Sequence, residues 1–119
     1  MADARELVLR LHEAIGRRDA EAAAALFHPL ARFRNYLDEG QVVGPAGAQA
    51  FYLRLFETLA PNIDLLSIQT LADGRAQAEL QVSVHDRSGR LWSDSRVTAT
   101  YTVQDGLIQS VELGPDRPS

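Results

Sequence analysis

Apolar and polar side chains alternate along the C-terminal half of the chain. From Ala76 to Val84 the even-numbered positions are apolar and the positions between them are polar. A second alternating run includes Val97, after a turn that contains Gly89, and a third begins at Leu107 after an Asp-Gly turn. Such alternation is typical of strands with one buried and one solvated face, and short glycine-bearing turns are typical of hairpins. The pattern predicts an antiparallel meander whose apolar face is covered by the rest of the chain.

Helical spacing replaces this alternation in the N-terminal half. Leu7, Leu11 and Ile15 recur at helical spacing after Asp3, whose side chain can cap a helix. Alanine, which has the highest helix propensity, dominates the stretch that follows Asp19. The predicted helices are one that ends at about Ala14 or Ile15, one from Ala20 to about Phe27, and one from Gly44 to just before Pro61.

Shorter strands complete the predicted fold. We expect a strand from Ala31 to Leu37, a turn with a short return through Gln41–Val43, and a further strand from Ile63 to Leu71. Because helices come early and a mostly antiparallel sheet comes late, the predicted fold class is α+β. The sheet should be cone-shaped and strongly curved, with the three helices covering its concave face. The domain is expected to span residues 1–114, with 115–119 as a flexible tail.

Composition narrows the range of partners. The 119 residues carry a net charge of −4, and no basic cluster is found beyond Arg17-Arg18, so a nucleic-acid partner is not expected. No apolar run approaches the roughly 20 residues of a membrane helix, and the lack of cysteine fits a cytoplasmic protein. His12, His28 and His85 have no shared metal-binding spacing, and no nucleotide-binding glycine motif occurs. Neither a metal nor a cofactor is therefore expected.

Four segments carry a resemblance to a known superfamily. They are Gly-Arg-Arg-Asp-Ala-Glu-Ala (16–22), Leu-Phe-His-Pro-Leu-Ala-Arg-Phe (26–33), Val-Gly-Pro-Ala-Gly-Ala-Gln-Ala-Phe-Tyr (43–52) and Tyr-Thr-Val-Gln-Asp-Gly-Leu-Ile (101–108). In this order and spacing the chain resembles the nuclear transport factor 2-like superfamily, in its SnoaL-like and ketosteroid isomerase-like branch. The resemblance implies a small-molecule pocket inside the cone and acid–base chemistry such as isomerisation, cyclisation or dehydration.

The catalytic groups of ketosteroid isomerases do not carry over to this sequence. Those enzymes use an aspartate base, with a tyrosine and a protonated aspartate as hydrogen-bond donors. The resemblance places these three positions on Asn35, Leu11 and Ala99, none of which can titrate. Tyr52 does match a family tyrosine on the third helix. Isomerisation by that mechanism is therefore not expected here.

A set of inward-facing positions is predicted to line the pocket. Asn35 could bind a ligand oxygen with its amide, or its amide could be satisfied by the backbone of a filled core. Tyr52 and Tyr101 could likewise bind a ligand or simply fill the core. Convergence of these three side chains in one cavity would indicate a ligand site. The predicted ligand-binding residues are Phe33, Asn35, Tyr52, Phe56, Val82, Val97, Ala99 and Tyr101.

Asp94 is the acid that we consider as a general base. If a β-bulge near Ser93 shifts the alternation, Asp94 faces the mouth of the cavity, where a buried carboxylate can accept a proton. Without such a bulge it shares the outward face with Arg96 and is an ordinary surface carboxylate. Both placements are compatible with the sequence.

Three functions are compatible with this pattern. An enzyme would act on a small, mainly apolar molecule, a binding module would hold such a ligand without turnover, and an interaction domain would use the fold as a scaffold. The sequence favours a pocket protein, either enzyme or binder, over a scaffold. We also expect a homodimer through the polar sheet face, whose medium-sized polar side chains suit a wet two-fold interface. That face carries Gln77, Glu79, Gln81, Ser83, His85, Arg96, Thr98, Thr100 and Thr102.

Overall fold

Three helices and seven strands make up the described part of the chain. The computed structural model describes residues 3–35, 40–59, 61–85, 88, 90–114 and 117–118. The elements are α1 (Ala4–Gly16), α2 (Ala20–Ala24), β1 (Arg32–Arg34), β2 (Gln41–Val43), α3 (Gly44–Leu59), β3 (Pro61–Thr70), β4 (Ala76–His85), β5 (Leu91–Gln104), β6 (Leu107–Leu113) and β7 (Arg117–Pro118). Helices precede most of the sheet, so the predicted α+β class is confirmed.

Aspartates begin the two N-terminal helices. The carboxylate of Asp3 accepts a hydrogen bond from the Glu6 N–H at 2.8 Å, and that of Asp19 accepts one from the Ala22 N–H at 3.0 Å. Each bond satisfies one of the N–H groups that the first turn of a helix leaves unpaired. Both predicted caps are thus confirmed. The Glu6 side chain forms an ion pair with Arg10, at 2.6 Å, on the exposed surface of the helix.

The large sheet is an antiparallel meander. Its strand order is β3-β4-β5-β6, and β7 pairs with the part of β5 that precedes the β6 pairing. The register sets Leu80 of β4 opposite Leu65 of β3 and Val97 of β5. Since Leu80, Ala76 and Ala78 are buried, the even-numbered positions of β4 face the helices. The predicted burial of this parity from 76 to 80 is confirmed.

Bulges bend this sheet at three places. The register shifts between Leu65 and Ser67, between Val84 and His85, and between Thr102 and Val103. Each bulge adds a residue to one strand of a pair and increases the local twist. The result is the strongly curved sheet that the sequence predicted. Its described strands do not close into a barrel, α1 lies close to all four long strands, and α2 packs between α1 and α3.

The second helix is shorter than the sequence predicted. We expected it to reach Phe27, but α2 ends at Ala24, and Phe27 forms a parallel bridge with Ile108 of β6. The Ile108 N–H donates to the Leu26 carbonyl at 2.8 Å, and the His28 N–H donates to the Ile108 carbonyl at 2.9 Å. These sheet-like hydrogen bonds replace helical ones, so the chain leaves the helix early and is tied to the edge strand.

Other boundaries differ from the predictions in smaller ways. β1 is confined to Arg32–Arg34, whereas the predicted strand extended into 36–37, which together with the turn residues 38–39 lie outside the described residues. β3 begins at Pro61 rather than Ile63. Within the predicted tail, Arg117 and Pro118 pair with Arg96 and Ser95 of β5, so this part of the tail adds a short strand to the sheet. Residues 115, 116 and 119 lie outside the described residues.

Candidate functional site

The face of the sheet that points to the helices has a floor of small side chains. Ala76, Ala78 and Ala99 are completely buried there, and Leu80 and Val97 are nearly so. The methyl groups of these alanines take up little space, so α1 can lie close to this part of the sheet. The predicted pocket residues Val97 and Ala99 therefore do lie on the concave side.

Larger apolar side chains on the same side of the sheet are only partly buried. Ile63 and Val82 are paired across β3 and β4 and face the helices, while Leu55 and Phe56 belong to the third helix. All four pack against the core yet are only partly buried, so solvent reaches inward-facing apolar surface at these positions. We call the predicted pocket beside Leu55, Phe56, Ile63 and Val82 the concave hollow.

A histidine and a tyrosine are hydrogen-bonded on the concave side. His12 of α1 and Tyr101 of β5 approach each other with 3.1 Å between the imidazole Nε2 and the phenol Oη, and their rings meet edge to face. Burial lowers the pKa of His12 to about 4 and raises the pKa of Tyr101. At neutral pH the imidazole is therefore uncharged and the phenol keeps its proton.

Tyr52 brings a second phenol from α3. Its ring lies between those of Phe27 and Phe56, with centroid distances of 6.2 and 6.1 Å. Burial raises the pKa of Tyr52, and electrostatic interaction with Tyr101 raises it further. That interaction requires the two phenols to lie near each other, because it weakens with distance. Two protonated phenols and one neutral imidazole thus meet in an otherwise apolar region.

His12 also has an unsatisfied ring nitrogen. Its Nδ1 is buried and, among the described residues, has no hydrogen-bond partner. A buried polar atom without a partner costs free energy, and such atoms are uncommon in folded proteins. An imidazole that only filled space between α1 and the sheet would be replaced at lower cost by leucine. The geometry therefore singles out His12 as a functional candidate.

Comparison with known proteins identifies the family. A family model described as the SnoaL-like domain matches residues 8–111. The chain belongs to the SnoaL-like family. The match spans both His12 and Tyr101, as well as all three helices from the second turn of α1 onward. Among the curated proteins no match was found.

Solved structures show the same fold as this SnoaL-like chain. A nuclear transport factor 2-like protein of unknown function from Burkholderia pseudomallei has 20% identity and a TM-score of 0.78, covering 96% of this chain and 91% of its own. Rv0760c from Mycobacterium tuberculosis, in complex with estradiol-17β-hemisuccinate, has 16% identity and a TM-score of 0.79, with coverages of 93% and 92%. TerC, co-crystallised with polyporic acid, has 19% identity and a TM-score of 0.77, with coverages of 93% and 89%. The predicted superfamily is confirmed.

Asn35 lies away from the two tyrosines. It borders a separate cavity of about 200 Å³, between the β1–β2 hairpin and α3, that Phe51 and Arg54 also line. With about 3.6 residues per helical turn, Arg54 and Tyr52 project from different sides of α3. The backbone N–H of Asn35 donates to the Gly40 carbonyl at 3.0 Å. Tyr52 and Tyr101 do not line this cavity, so the structure does not bring Asn35 together with them there.

The remaining predicted pocket residues divide between the core and the hollow. Phe33 is buried against Phe27 and Phe51, with both ring centroids 5.5 Å away, and so belongs to the core beside the β1–β2 hairpin. Phe56 and Val82 are partly buried and pack against the core. Ligand binding by these residues remains a prediction.

Asp94 does not meet the condition for a cavity base in the SnoaL-like fold. Val84 pairs with Ser93 and His85 with Leu91, so Trp92 is the extra residue and the bulge precedes Asp94. The exposed Asp94 carboxylate accepts hydrogen bonds from the Gln81 amide and, at 3.2 Å, from the Ser83 hydroxyl. These partners lie on the polar sheet face. The bulge that would have turned Asp94 toward the helices is there, but at a position that leaves Asp94 on the outside.

The sequence did contain a signal for His12, but a search for metal-binding spacings does not detect it. Val8, Leu11 and Ile15 form the buried stripe of α1, and residue 12 lies on the same side of the helix. A titratable residue within an apolar stripe needs a partner, and the fold supplies Tyr101.

Within the described residues, no group of three or more metal-binding side chains occurs. None of the helices described is long and apolar enough to cross a membrane.

Proposed function

We propose that this SnoaL-like protein binds a small, mainly apolar molecule in the concave hollow, with the His12–Tyr101 pair and Tyr52 as its polar end. The observation that carries the proposal is the largely buried, hydrogen-bonded His12–Tyr101 pair on the concave side of the sheet, near the phenol of Tyr52. Ligand sites are mostly apolar with a few polar groups that fix orientation, which is the composition found here. Rv0760c with its steroid ester and TerC with polyporic acid are proteins of this fold that hold such molecules, which supports the same use of the hollow in this chain.

Catalysis by acid–base chemistry is the second candidate. A neutral imidazole bonded to a phenol can pass a proton, so isomerisation, cyclisation or dehydration of the bound molecule is chemically feasible. Binding is ranked first because each carboxylate in the described part of the chain is exposed or lies on the polar sheet face. A strong base inside the hollow is therefore not among the described groups.

Filling the hollow should weaken binding. Val82→Phe adds a ring where an inward-facing side chain is only partly buried, so we expect the affinity for ethylnaphthalene and acetylnaphthalene to fall at least about tenfold with the fold retained. Nuclear magnetic resonance titrations of wild type and variant measure this. Ser83→Thr, on the opposite face, is the matched control. Equal affinity in Val82→Phe would contradict the proposed site.

Hydrogen exchange at the acetyl methyl group in heavy water, run in the same samples, tests the catalytic candidate.

The polar sheet face is proposed to join two copies of the chain. The described polar side chains of β4 on this face, Gln77, Glu79, Gln81 and Ser83, are half-buried, and they form a broad surface with the threonines of β5. Hydrogen-bonding side chains of medium length suit an interface that retains water. We expect a dimer in light scattering at tens of micromolar. Thr98→Arg places a bulky charge against its own symmetry copy and should give a monomer, whereas a monomeric wild type would contradict the proposal.

A further inference from the structure

A cavity of about 200 Å³ lies between the β1–β2 hairpin and α3, and we call it the hairpin cleft. Four residues of α3 line it and follow the i, i+3, i+4, i+7 pattern of a single helix face: Gly47, Ala50, Phe51 and Arg54. The residues beside the concave hollow do not belong to this described lining. The hairpin cleft is therefore a site of its own, which the proposed function does not use.

Backbone hydrogen bonds hold the hairpin in place beside the helix. The Gly44 N–H donates to the Ala31 carbonyl at 2.8 Å, where β2 passes into α3. The Asn35 N–H donates to the Gly40 carbonyl at 3.0 Å and continues the pairing of β1 and β2 beyond Arg34. Because these bonds fix the hairpin, the cleft is pre-formed, as sites for small molecules usually are.

Apolar side chains form one part of the lining. Phe51 is half-buried, and its ring meets those of Phe33 and Tyr52 edge to face, with centroid distances of 5.5 and 5.3 Å. The hairpin approaches the helix closely at Gly47, where a Cβ atom would lie 3.3 Å from the side chain of Val42. A partly exposed ring that is held by its neighbours offers a fixed apolar surface to a flat ligand.

Hydrogen-bond donors form the other part of the lining. Arg54 carries the only charge among the described residues that line the cleft, and Asn35 and Gln41 contribute amides. A guanidinium presents several N–H donors in a planar arrangement that matches a carboxylate, and an amide can donate to the same anion. Arg34 is paired with Gln41 across the hairpin and adds a second positive charge nearby. The described surroundings of the cleft are thus positive, whereas the chain has a net charge of −4.

We propose that the hairpin cleft binds a small aromatic carboxylate, with its anionic group at Arg54 and its ring against Phe51 and Val42. Sites for drug-sized ligands have volumes of roughly 300–1,000 Å³, so a cavity of about 200 Å³ suits a single substituted ring. The inference does not rest on the proposed function, because the concave hollow and the hairpin cleft are lined by different residues. It assigns to the chain a second ligand of opposite character, an acid instead of a mainly apolar molecule.

Benzoate, benzamide and acetate test the two parts of the cleft separately. In nuclear magnetic resonance titrations we expect benzoate to bind with a dissociation constant of about 1 mM. Benzamide, which lacks the charge, should bind about fivefold more weakly, and acetate, which lacks the ring, about tenfold more weakly. Added salt should weaken the binding of benzoate but not that of benzamide. The inference is overturned if benzoate does not bind, if benzamide binds equally well, or if acetate does, since the last result would mean ion pairing at the surface alone.

Variants of α3 locate the binding site. Arg54→Gln should lower the affinity for benzoate about fivefold, to that of benzamide, whereas Arg17→Gln, at an exposed arginine of α1, is the control and should change neither. Ala50→Leu fills the cleft and should weaken both ligands about tenfold, and Gln49→Leu, at an exposed position outside the lining, is its control. Unchanged benzoate binding in Arg54→Gln or in Ala50→Leu would overturn the inference. Val82→Phe should leave benzoate binding intact while it weakens the binding of the naphthalenes, so the two sites can fail independently.

Discussion

Lowering the pH from 7 to 4 is expected to cost the protein about 3 kcal/mol of unfolding free energy through His12 alone. The unfolded chain binds a proton at this residue near pH 6.5, whereas burial lowers the pKa of the folded state to about 4. Between these values the unfolded state binds more protons, so acid favours unfolding. The contribution is complete above pH 6.5 and is lost as the pH falls toward 4. Chemical denaturation at a series of pH values measures it.

His12→Leu is the matched control for that experiment. The carboxylates and the other two histidines are common to both proteins, so the difference between the two pH curves isolates His12. At pH 7 the variant should be more stable by about 1 kcal/mol, because leucine leaves no buried nitrogen unpaired. Parallel curves for the two proteins would contradict the burial of an uncharged imidazole. A gain in stability in His12→Leu would show that folding alone does not account for this histidine.

Local rules were sufficient for the elements of the fold. Alternation along β4 depends only on the period of a strand, so the burial of Ala76, Ala78 and Leu80 could be predicted without knowing what covers them. Asp3 and Asp19 cap their helices through bonds that span three residues, which the sequence also displays directly. The superfamily could be predicted because motif order and spacing determine the order of helices and strands.

The site depended on contacts between distant parts of the chain. His12 and Tyr101 are 89 residues apart, and nothing near either residue indicates the other. The parity of Asn35 was as predicted, but which side of α3 lies opposite the β1–β2 hairpin is decided by tertiary packing. The direction of the Asp94 side chain depended on which residue of β5 is the extra one in the bulge. The position of a bulge is set by the pairing of two strands. In each case the local pattern was correct, but the tertiary contact that decides the site could not be determined from the sequence.

Substitutions of the aromatic residues on either side of Tyr52 should show which of them is needed for stability and which for ligand binding. Phe27 is almost fully buried and contacts Tyr52 and Phe33, whereas Phe56 contacts Tyr52 but is only partly buried at the hollow. Phe27→Ala should cost about 3–5 kcal/mol, because it removes a large core side chain from the segment that ties the end of α2 to Ile108. Phe56→Ala should cost about 1–2 kcal/mol, since solvent already reaches this ring. Chemical denaturation measures both values.

Ligand affinity should follow the opposite order. Phe56→Ala removes an aromatic wall of the concave hollow, so the affinity for ethylnaphthalene should fall about tenfold while most of the protein stays folded. Phe27→Leu, which keeps a large apolar side chain in the core, should retain both the fold and the affinity and serves as the control for the buried position. If Phe56→Ala bound ethylnaphthalene as well as wild type, the ring would be packing only against the protein, and the ligand site would have to lie elsewhere than beside Phe56.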